Sequence, residues 1–292
     1  MQNTNPKVVV SICSITFNHA PYIRKCLDGF LMQECDFEFE VLIHDDASTD
    51  GTAEIIKEYQ QRYPDIIKPI LQTKNQWSQG IRNIQSRYNF SRAKGKYIAM
   101  CEGDDYWTDP HKLQKQVDFL EANEEFVLTS HKRILVDKSS NEIINLSISK
   151  NDYHTQCLLF KNILKEDYLK NNSNIFNGDT FLIIYLSNFG KSKILDFVGA
   201  AYRIVETGVW STIGSQDRAE KTEESYKDMR IFFSKYKYFR SLNQLDKYEL
   251  DSEIILFKKR KDNTFFDYLK LLIRAVACRD LNRIKSVIKL KF

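Results

Sequence analysis

Short apolar runs alternate with segments of helical periodicity through the first 125 residues of this 292-residue chain. The apolar runs predict four strands, at residues 8–17, 37–43, 66–71 and 96–101. Between them, apolar positions recur every three or four residues, as in Ile23, Leu27 and Phe30, and predict helices that cover a sheet. This alternation predicts an α/β fold with a mainly parallel sheet flanked by helices.

The pattern changes after residue 125. A strand is predicted over residues 126–136, a hairpin near 139–141 and a helix near 162–169. From about residue 215 onward Gly and Pro are absent, while Lys, Arg, Glu, Tyr and Phe dominate. We therefore predict a main domain over residues 1–214 and a helical C-terminal region over 215–292.

Composition narrows the class of protein. The 43 Lys and Arg against 39 Asp and Glu give a net charge of +4, too small to favour nucleic acid as a partner. The six cysteines lack the spacing of a zinc site, which is typical of reduced thiols in a cytoplasmic protein. The polar start and the short apolar run behind it predict a buried strand rather than a signal peptide. Without a run of about 18 apolar residues, we expect any membrane contact to be peripheral.

Three polar loops follow predicted strands. They are Thr16-Phe17-Asn18 after the first, Asp45-Asp46 after the second and Glu102-Gly103-Asp104-Asp105 after the fourth. Ligands of open parallel sheets bind at the carboxyl ends of the strands, where such loops converge. Gathered carboxylates repel one another, so a divalent cation is the expected compensation, with phosphate oxygens completing its shell. We predict a site for Mn²⁺ or Mg²⁺ and a nucleotide diphosphate.

These loops carry a resemblance to a known family. The chain is similar to the family-2 glycosyltransferases of the GT-A fold, which show a strand, T-x-N, D-D-x-S-x-D-G-T and a DXD-type pair of aspartates. Here these elements are Thr16 to Asn18, Asp45 to Thr52, and Asp104-Asp105. The similarity is strong over residues 7–125. It is weaker in Asn177-Gly178-Asp179, in Tyr202-Arg203 and in Gly208-Val209-Trp210-Ser211.

The resemblance implies roles for individual residues. Phe17 and Asp46 would contact the base, and Thr16, Asn18 and Asp45 would belong to the same nucleotide-sugar site. Asp104 and Asp105 would hold ribose, metal and diphosphate, and Asp179 matches the acidic catalytic base. Residues 7–125 would form the nucleotide-sugar half of the catalytic domain, and 126–214 the acceptor half.

The implied reaction is an inverting transfer from a nucleotide-diphosphate sugar, with a UDP-sugar as the expected donor. The acceptor would be a glycan hydroxyl, either free or lipid-linked. Similar proteins often carry a His where this chain has Val205, which puts a metal or phosphate contact from that loop in doubt. The Q-x-x-R-W motif of processive members is absent from the sequence, so transfer of a single sugar is expected.

Simpler explanations of the same residues stay open. The stretch from Asp45 to Gly51 also suits a turn and helix cap, or the start of a calcium loop, although Lys57 stands where that loop needs Glu. Phe17 could be a core residue, and Asp179 could cap a helix. Two other functions remain: a sugar-phosphate nucleotidyltransferase, which should carry a Gly-rich phosphate loop, and a non-catalytic nucleotide-sugar binding module.

The last 28 residues combine apolar and basic positions. Leu269, Leu272, Ile273, Val276, Ile284, Val287 and Ile288 recur at near-helical spacing, and seven Lys or Arg outnumber two Asp. Such a basic amphipathic pattern predicts contact with an anionic membrane face. Packing on the catalytic domain or in a homodimer is the alternative.

Overall fold

The computed structural model describes residues 8–143, 153–171, 175–205, 214–259 and 263–290. Its strands are β1 (Val10–Thr16), β2 (Phe39–Asp45), β3 (Ile67–Leu71), β4 (Tyr97–Met100), β5 (Tyr106–Trp107), β6 (Phe126–Val136), β7 (Leu159–Lys161) and β8 (Lys191–Arg203). Within the described residues they form one eight-stranded sheet, in the order β3-β2-β1-β4-β7-β6-β8-β5.

The helices lie between and after these strands. They are α1 (Ile23–Leu31), α2 (Thr52–Arg62), α3 (Lys112–Ala122), α4 (Glu166–Lys170), α5 (Gly178–Leu186), α6 (Ser215–Lys235), α7 (Phe239–Lys259), α8 (Phe265–Ala277) and α9 (Leu281–Ile288). Short turns of other helical types cover Gln85–Asn89, Phe90–Arg92 and Thr155–Cys157.

The predicted parallel sheet is present in the first half of the chain. Strands β3, β2, β1 and β4 are parallel neighbours, and apolar residues of α1, α2 and α3 pack against them in one core cluster. The register pairs Thr16 with Asp45, Asp45 with Leu71, and Cys13 with Met100. The loops after β1, β2 and β4 therefore leave the sheet at the same edge.

The second half completes the sheet with mixed pairing. Strand β7 joins β4 and β6 in antiparallel pairs, while the 13-residue β8 runs parallel to β6 and pairs with β5 at the edge. The strand predicted over residues 126–136 is confirmed as β6. The hairpin that follows is closed by a bridge from Val136 to Glu142. The predicted helix near 162–169 begins only at Glu166.

The helical C-terminal region is confirmed from Ser215 onward. Helix α6 contributes Met229, Phe232 and Phe233 to the core that also contains α5, so it packs on the sheet domain. Helices α8 and α9 instead share a smaller core with the second half of α7, including Leu271, Ala275 and Val287. In the described part of the chain, none of the helices is long and apolar enough to cross a membrane.

Candidate functional site

The loops after β1 and β2 are hydrogen-bonded to each other. The Asn18 backbone N–H donates to Ser48 Oγ at 2.8 Å, and Asn18 Oδ1 accepts from the Thr49 N–H at 2.9 Å. Asn18 and Ala47 both have positive φ, 54° and 64°, a region that non-Gly residues seldom occupy. The T-x-N and D-D-x-S motifs thus form a single braced structure.

The two aspartates of the second loop have different partners. Asp45 accepts from the backbone N–H and the hydroxyl of Ser48, and its burial raises the pKa of its carboxyl while these bonds oppose the shift. Asp46 accepts from the backbone N–H groups of Gln76 and Trp77, at 2.8 and 3.0 Å. Asp45 shapes its own turn, whereas Asp46 anchors the loop after β3.

That anchored loop forms one wall of the site. The Arg82 guanidinium lies 4.1 Å from the centre of the Trp77 ring and donates to the Trp77 carbonyl at 2.8 Å.

Phe17, at the end of β1, is 44% exposed and so does not belong to the core. Each Asp46 oxygen has a second lone pair beyond its backbone bond. An exposed ring and an acceptor carboxylate suit a nucleobase, and the base contacts of Phe17 and Asp46 stay a prediction.

The acidic loop after β4 lies directly against the end of β1. A methyl group on Gly103 would come within 2.6 Å of Thr16 Oγ1 and 3.0 Å of His19 Nδ1, and Gly103 N–H donates to the Ile15 carbonyl at 2.9 Å. Only glycine permits this approach. Thr16 is buried, and its side chain packs directly against this loop.

The two adjacent aspartates of this loop, Asp104 and Asp105, lie in different environments. Asp105 is 2% exposed, and its Oδ1 accepts the Arg203 backbone N–H at 2.7 Å. Its burial, and the nearby Asp104 carboxylate, raise its pKa well above the ordinary value. Asp104 is only partly buried, with His19 Nε2 3.9 Å from its Oδ2. The geometry favours Asp104 over Asp105 as the residue that meets a ligand.

Arg203 fixes the same loop from the far end of β8. Its Nε donates to the Asp104 carbonyl at 2.9 Å, and its Nη1 donates to the carbonyls of Asp137 and Lys138 at 3.0 Å. The guanidinium also lies 4.6 Å from the centre of the Tyr22 ring. Arg203 therefore ties the acidic loop to the hairpin after β6 and to the loop after β1.

Three carboxylates influence one another at this edge. Burial is the main cause that raises the pKa of Glu102 to about 8, and the charges of Asp104 and Asp179 add to it. Burial and the acidic loop also raise the pKa of Tyr202 to about 12. Asp179, 75 residues further along the chain than Asp104, thus lies within electrostatic reach of the acidic loop. This crowding of negative charge is what a bound cation relieves.

No ready-made metal cage is present among the described residues, since no three His, Cys, Asp or Glu side chains converge on one point. A cation held by one or two carboxylates plus phosphate oxygens and water would not need such a cage. The chemistry of Glu102 and Asp104 fits that kind of site. The prediction of Mn²⁺ or Mg²⁺ therefore depends on a diphosphate to complete the shell.

Asp179 lies in the first turn of α5. Its side chain is exposed, and Oδ1 accepts from the adjacent Thr180 N–H at 2.6 Å. Phe176 packs near Trp77 with 5.8 Å between ring centres. A methyl group on Gly178 would lie 3.4 Å from the Asn83 side chain. The turn that carries Asp179 therefore rests on the same loop that Asp46 anchors. The helix cap that the sequence also suggested for Asp179 falls on Asn177, because α5 begins at Gly178. The contact with the Thr180 N–H uses one carboxylate oxygen of Asp179 and leaves the other for an acceptor.

Two residues of this arrangement carry no role in the sequence interpretation. His19 comes directly after T-x-N, and that position at a strand's carboxyl end is the signal that could have identified it. For Arg203, the only signal in the sequence is its place in the Tyr202-Arg203 pair. Of the weaker motif matches, residues 208–211 lie outside the described residues, and Val205 is buried.

The parallel strands, the acidic loop after β4 and the added mixed strands are those of the GT-A fold. The glycosyl transferase family 2 model matches residues 11–182, more than half of the chain. The protein belongs to this family.

Related proteins agree with this assignment. An uncharacterized protein of Mycobacterium tuberculosis is 37% identical over 216 residues, which cover 69% of this chain and 60% of that protein. An uncharacterized glycosyltransferase of Nostoc is 31% identical over 144 residues, 47% of this chain and 42% of its own. The chain thus spans less than two thirds of the length of these relatives.

Solved structures show the same fold at low identity. TarS 1-349 of S. aureus in complex with UDP-GlcNAc has a TM-score of 0.58 at 16% identity, covering 96% of this chain and 90% of its own. The mannosyltransferase PcManGT of Pyrobaculum calidifontis, in complex with GDP-Man and Mn²⁺, has a TM-score of 0.55 at 16% identity, with 98% and 86% covered.

Proposed function

We propose that this protein transfers one sugar from a nucleotide-diphosphate sugar to a hydroxyl of a glycan, with inversion at the anomeric carbon. The observation that carries the proposal is that the loop bearing Glu102 and Asp104 packs against the carboxyl end of β1, with Asp179 near enough for its charge to help raise the pKa of Glu102. The first two come from the loop that would hold donor phosphate and metal. The third comes from the half of the chain assigned to the acceptor.

The metal would be Mn²⁺ or Mg²⁺, held by Asp104 with Glu102 beside it. The chemistry that such a cation supplies is neutralisation of the charge that develops on the leaving nucleoside diphosphate. Asp105 would hold the loop in position rather than contact the ligand, because its bond to the Arg203 N–H and its burial fix the loop on which Asp104 stands. The assignment of Asp105 as a direct ligand has less support from this geometry.

Asp179 would take the proton from the acceptor hydroxyl as the new bond forms. A sugar hydroxyl is too weak an acid to ionise at neutral pH, and a positioned carboxylate contributes roughly 10²- to 10⁴-fold in rate. The side chain is exposed in the first turn of α5. Exposure leaves room for an acceptor to reach it.

Related proteins support the proposed donor and acceptor classes. The two solved neighbours are bound to UDP-GlcNAc and GDP-Man, both nucleotide-diphosphate sugars. A Bacillus subtilis relative that is 32% identical over 117 residues carries a name that assigns it to teichuronic acid biosynthesis. We propose a UDP-sugar as donor and a surface polysaccharide or glycoconjugate, free or lipid-linked, as acceptor.

The test is a panel of nucleotide sugars assayed for nucleotide release with Mn²⁺, with Mg²⁺ and with EDTA. We expect release of nucleoside diphosphate from one donor, dependent on metal and lost in Asp179→Asn when acceptor is supplied. Release of pyrophosphate from a nucleoside triphosphate and sugar phosphate would instead identify a nucleotidyltransferase. Binding of donor without turnover under every condition would leave only a binding module.

A further inference from the structure

Helices α8 and α9 each have two apolar faces. Leu271 and Ala275 of α8 and Val287 of α9 are buried against α7. On the other side of α8, Leu269, Ile273 and Val276 are spaced four and three residues apart and are 37%, 61% and 56% exposed. Leu281 and Ile288 of α9, seven residues apart, are 72% and 58% exposed. The apolar pattern in this tail therefore exceeds what its own core uses.

The acidic groups of these helices are already engaged. Asp267 closes the capping box with Thr264 at the start of α8. Asp280 caps α9 and pairs with Arg283, which also pairs with Asp251. Arg274 is likewise neutralised, since it pairs with Glu249 and Glu253. The ion pairs of Arg274 and Arg283 with acidic residues of α7 hold α8 and α9 on that helix, while Asp267 and Asp280 are engaged in helix caps.

The remaining cations are exposed. They are Lys270, Arg279, Lys285 and Lys289, and within the described residues none of the four forms an ion pair. We call the exposed apolar residues together with these cations the α8–α9 outer face; its members are Leu269, Lys270, Ile273, Val276, Arg279, Leu281, Lys285, Ile288 and Lys289. This surface is apolar and basic: among residues 264–290, all within the described part of the chain, the only carboxylates are those of Asp267 and Asp280, and both are engaged in helix caps.

We propose that the α8–α9 outer face docks the protein on an anionic lipid surface. Apolar side chains beside Lys and Arg are what an interfacial helix presents to acyl chains and to negatively charged head groups. The charge decides against a second copy of the chain: a two-fold interface brings each patch against itself, so cations would meet cations. An anionic bilayer supplies both the missing negative charge and the missing apolar partner.

The consequence is that transfer takes place at a membrane surface, where a lipid-linked acceptor would be found. The docking itself does not depend on the proposed activity, because α8 and α9 pack on α7 and contribute no residue to the acidic site. The two can therefore fail separately.

The test is flotation of the full chain with vesicles of phosphatidylglycerol and phosphatidylcholine against vesicles of phosphatidylcholine alone. We expect recovery with the anionic vesicles only, falling steeply as salt is raised. The triple variant Leu269→Ser/Ile273→Ser/Val276→Ser and the quadruple variant Lys270→Gln/Arg279→Gln/Lys285→Gln/Lys289→Gln should each reduce the bound fraction about tenfold or more. The matched control is Ile231→Ser/Phe239→Ser, which removes two exposed apolar side chains outside this face.

Circular dichroism and donor hydrolysis in solution should be unchanged in all of these variants, which establishes that they fold. Equal flotation of the variants and the parent chain would overturn the proposal. So would a parent chain that is dimeric by light scattering and becomes monomeric in the apolar variant, because a second copy would then cover this face.

Discussion

The acidic edge of the sheet and the outer surface of α8 and α9 differ in how firmly contacts with the rest of the protein hold their side chains. At the sheet edge, backbone and side-chain contacts hold each polar loop, and Asp105 and Asp46 are almost fully buried by them. On α8, Ile273 and Val276 have no such neighbours and stay more than half exposed. In the first region hydrogen bonds fix the positions of the charged groups, whereas the second offers a surface whose exact shape matters little. Substitutions should therefore act through geometry in one region and through area and net charge in the other.

The largest effect is expected for Asp179→Asn. The amide keeps the size of the side chain and can still accept the Thr180 N–H bond, but it cannot take a proton. Transfer to acceptor should fall about 10²- to 10⁴-fold while donor affinity is retained. The measurement is single-turnover transfer beside donor titration, with Asp118→Asn on α3 as the control. Transfer at the parent rate would show that Asp179 is not the catalytic base.

The next largest effect separates Asp104 from Asp105. Asp104→Ala should lower kcat about 10²-fold, equivalent to about 3 kcal/mol of barrier, and abolish the gain in nucleotide affinity that Mn²⁺ provides. Asp105→Ala should chiefly lower stability, by about 1–3 kcal/mol, because the buried Arg203 N–H loses its acceptor. Urea unfolding and nucleotide titration with and without Mn²⁺ distinguish the two. A stable Asp105→Ala variant that has lost metal-dependent binding would return the ligand role to Asp105.

A smaller effect is expected for Arg203. In Arg203→Met the chain loses the donors to the carbonyls of Asp104, Asp137 and Lys138, which should cost about 2–3 kcal/mol. Arg203→Lys should recover little, because an ammonium cannot reproduce the planar fork. Arg24→Met is the control: Arg24 pairs with Glu58 at the exposed surface, where solvent screens the charges, so its loss should cost much less. Equal losses at both positions would refute the role assigned to Arg203.

The smallest effect is expected in α8. Ile273→Ser and Val276→Ser should each change the free energy of unfolding by less than about 0.5 kcal/mol, since neither side chain belongs to a core. Leu271→Ala, on the buried side of the same helix, should cost about 2–5 kcal/mol. Denaturant melts of the three variants compare the two faces directly. A large loss for Ile273→Ser would mean that this face already packs on protein.

Local pattern was enough to predict much of the fold. Strands β1 to β4 and β6 stand where apolar runs occur, because a buried parallel strand is continuously apolar. Strand β8 was not predicted, because its sequence is not continuously apolar. Its first eight residues are exposed or half-buried, and Lys191, Lys193 and Asp196 interrupt their apolar positions, so they form no continuous apolar run. Strand β5 has only two residues and exists because β8 pairs with it.

The sequence predicts which loops form the candidate site, but it does not predict what each residue in those loops contacts. Asp104 and Asp105 are adjacent in sequence, and nothing local shows that Arg203, 98 residues beyond Asp105, supplies the backbone N–H that engages one of them. His19 was missed because its nearness to Asp104 arises from the close contact at Gly103. The tail shows the same limit: Leu272, Ile284 and Val287 of the predicted stripe pack inward, while Leu269, Ile273, Val276 and Ile288 are exposed.

The bond from Arg203 to Asp105 has a consequence for how the protein comes to be active during synthesis. All three sequence motifs of the nucleotide-sugar half have left the ribosome once residue 105 has emerged, yet the acidic loop lacks its buried partner until β8 has been made and has paired with β5. Contacts that span about a hundred residues form late, because the intervening chain must first be ordered. A nascent chain that stops before residue 203 would thus carry the complete signature and still lack the contacts that engage the Asp105 carboxylate and the Asp104 carbonyl.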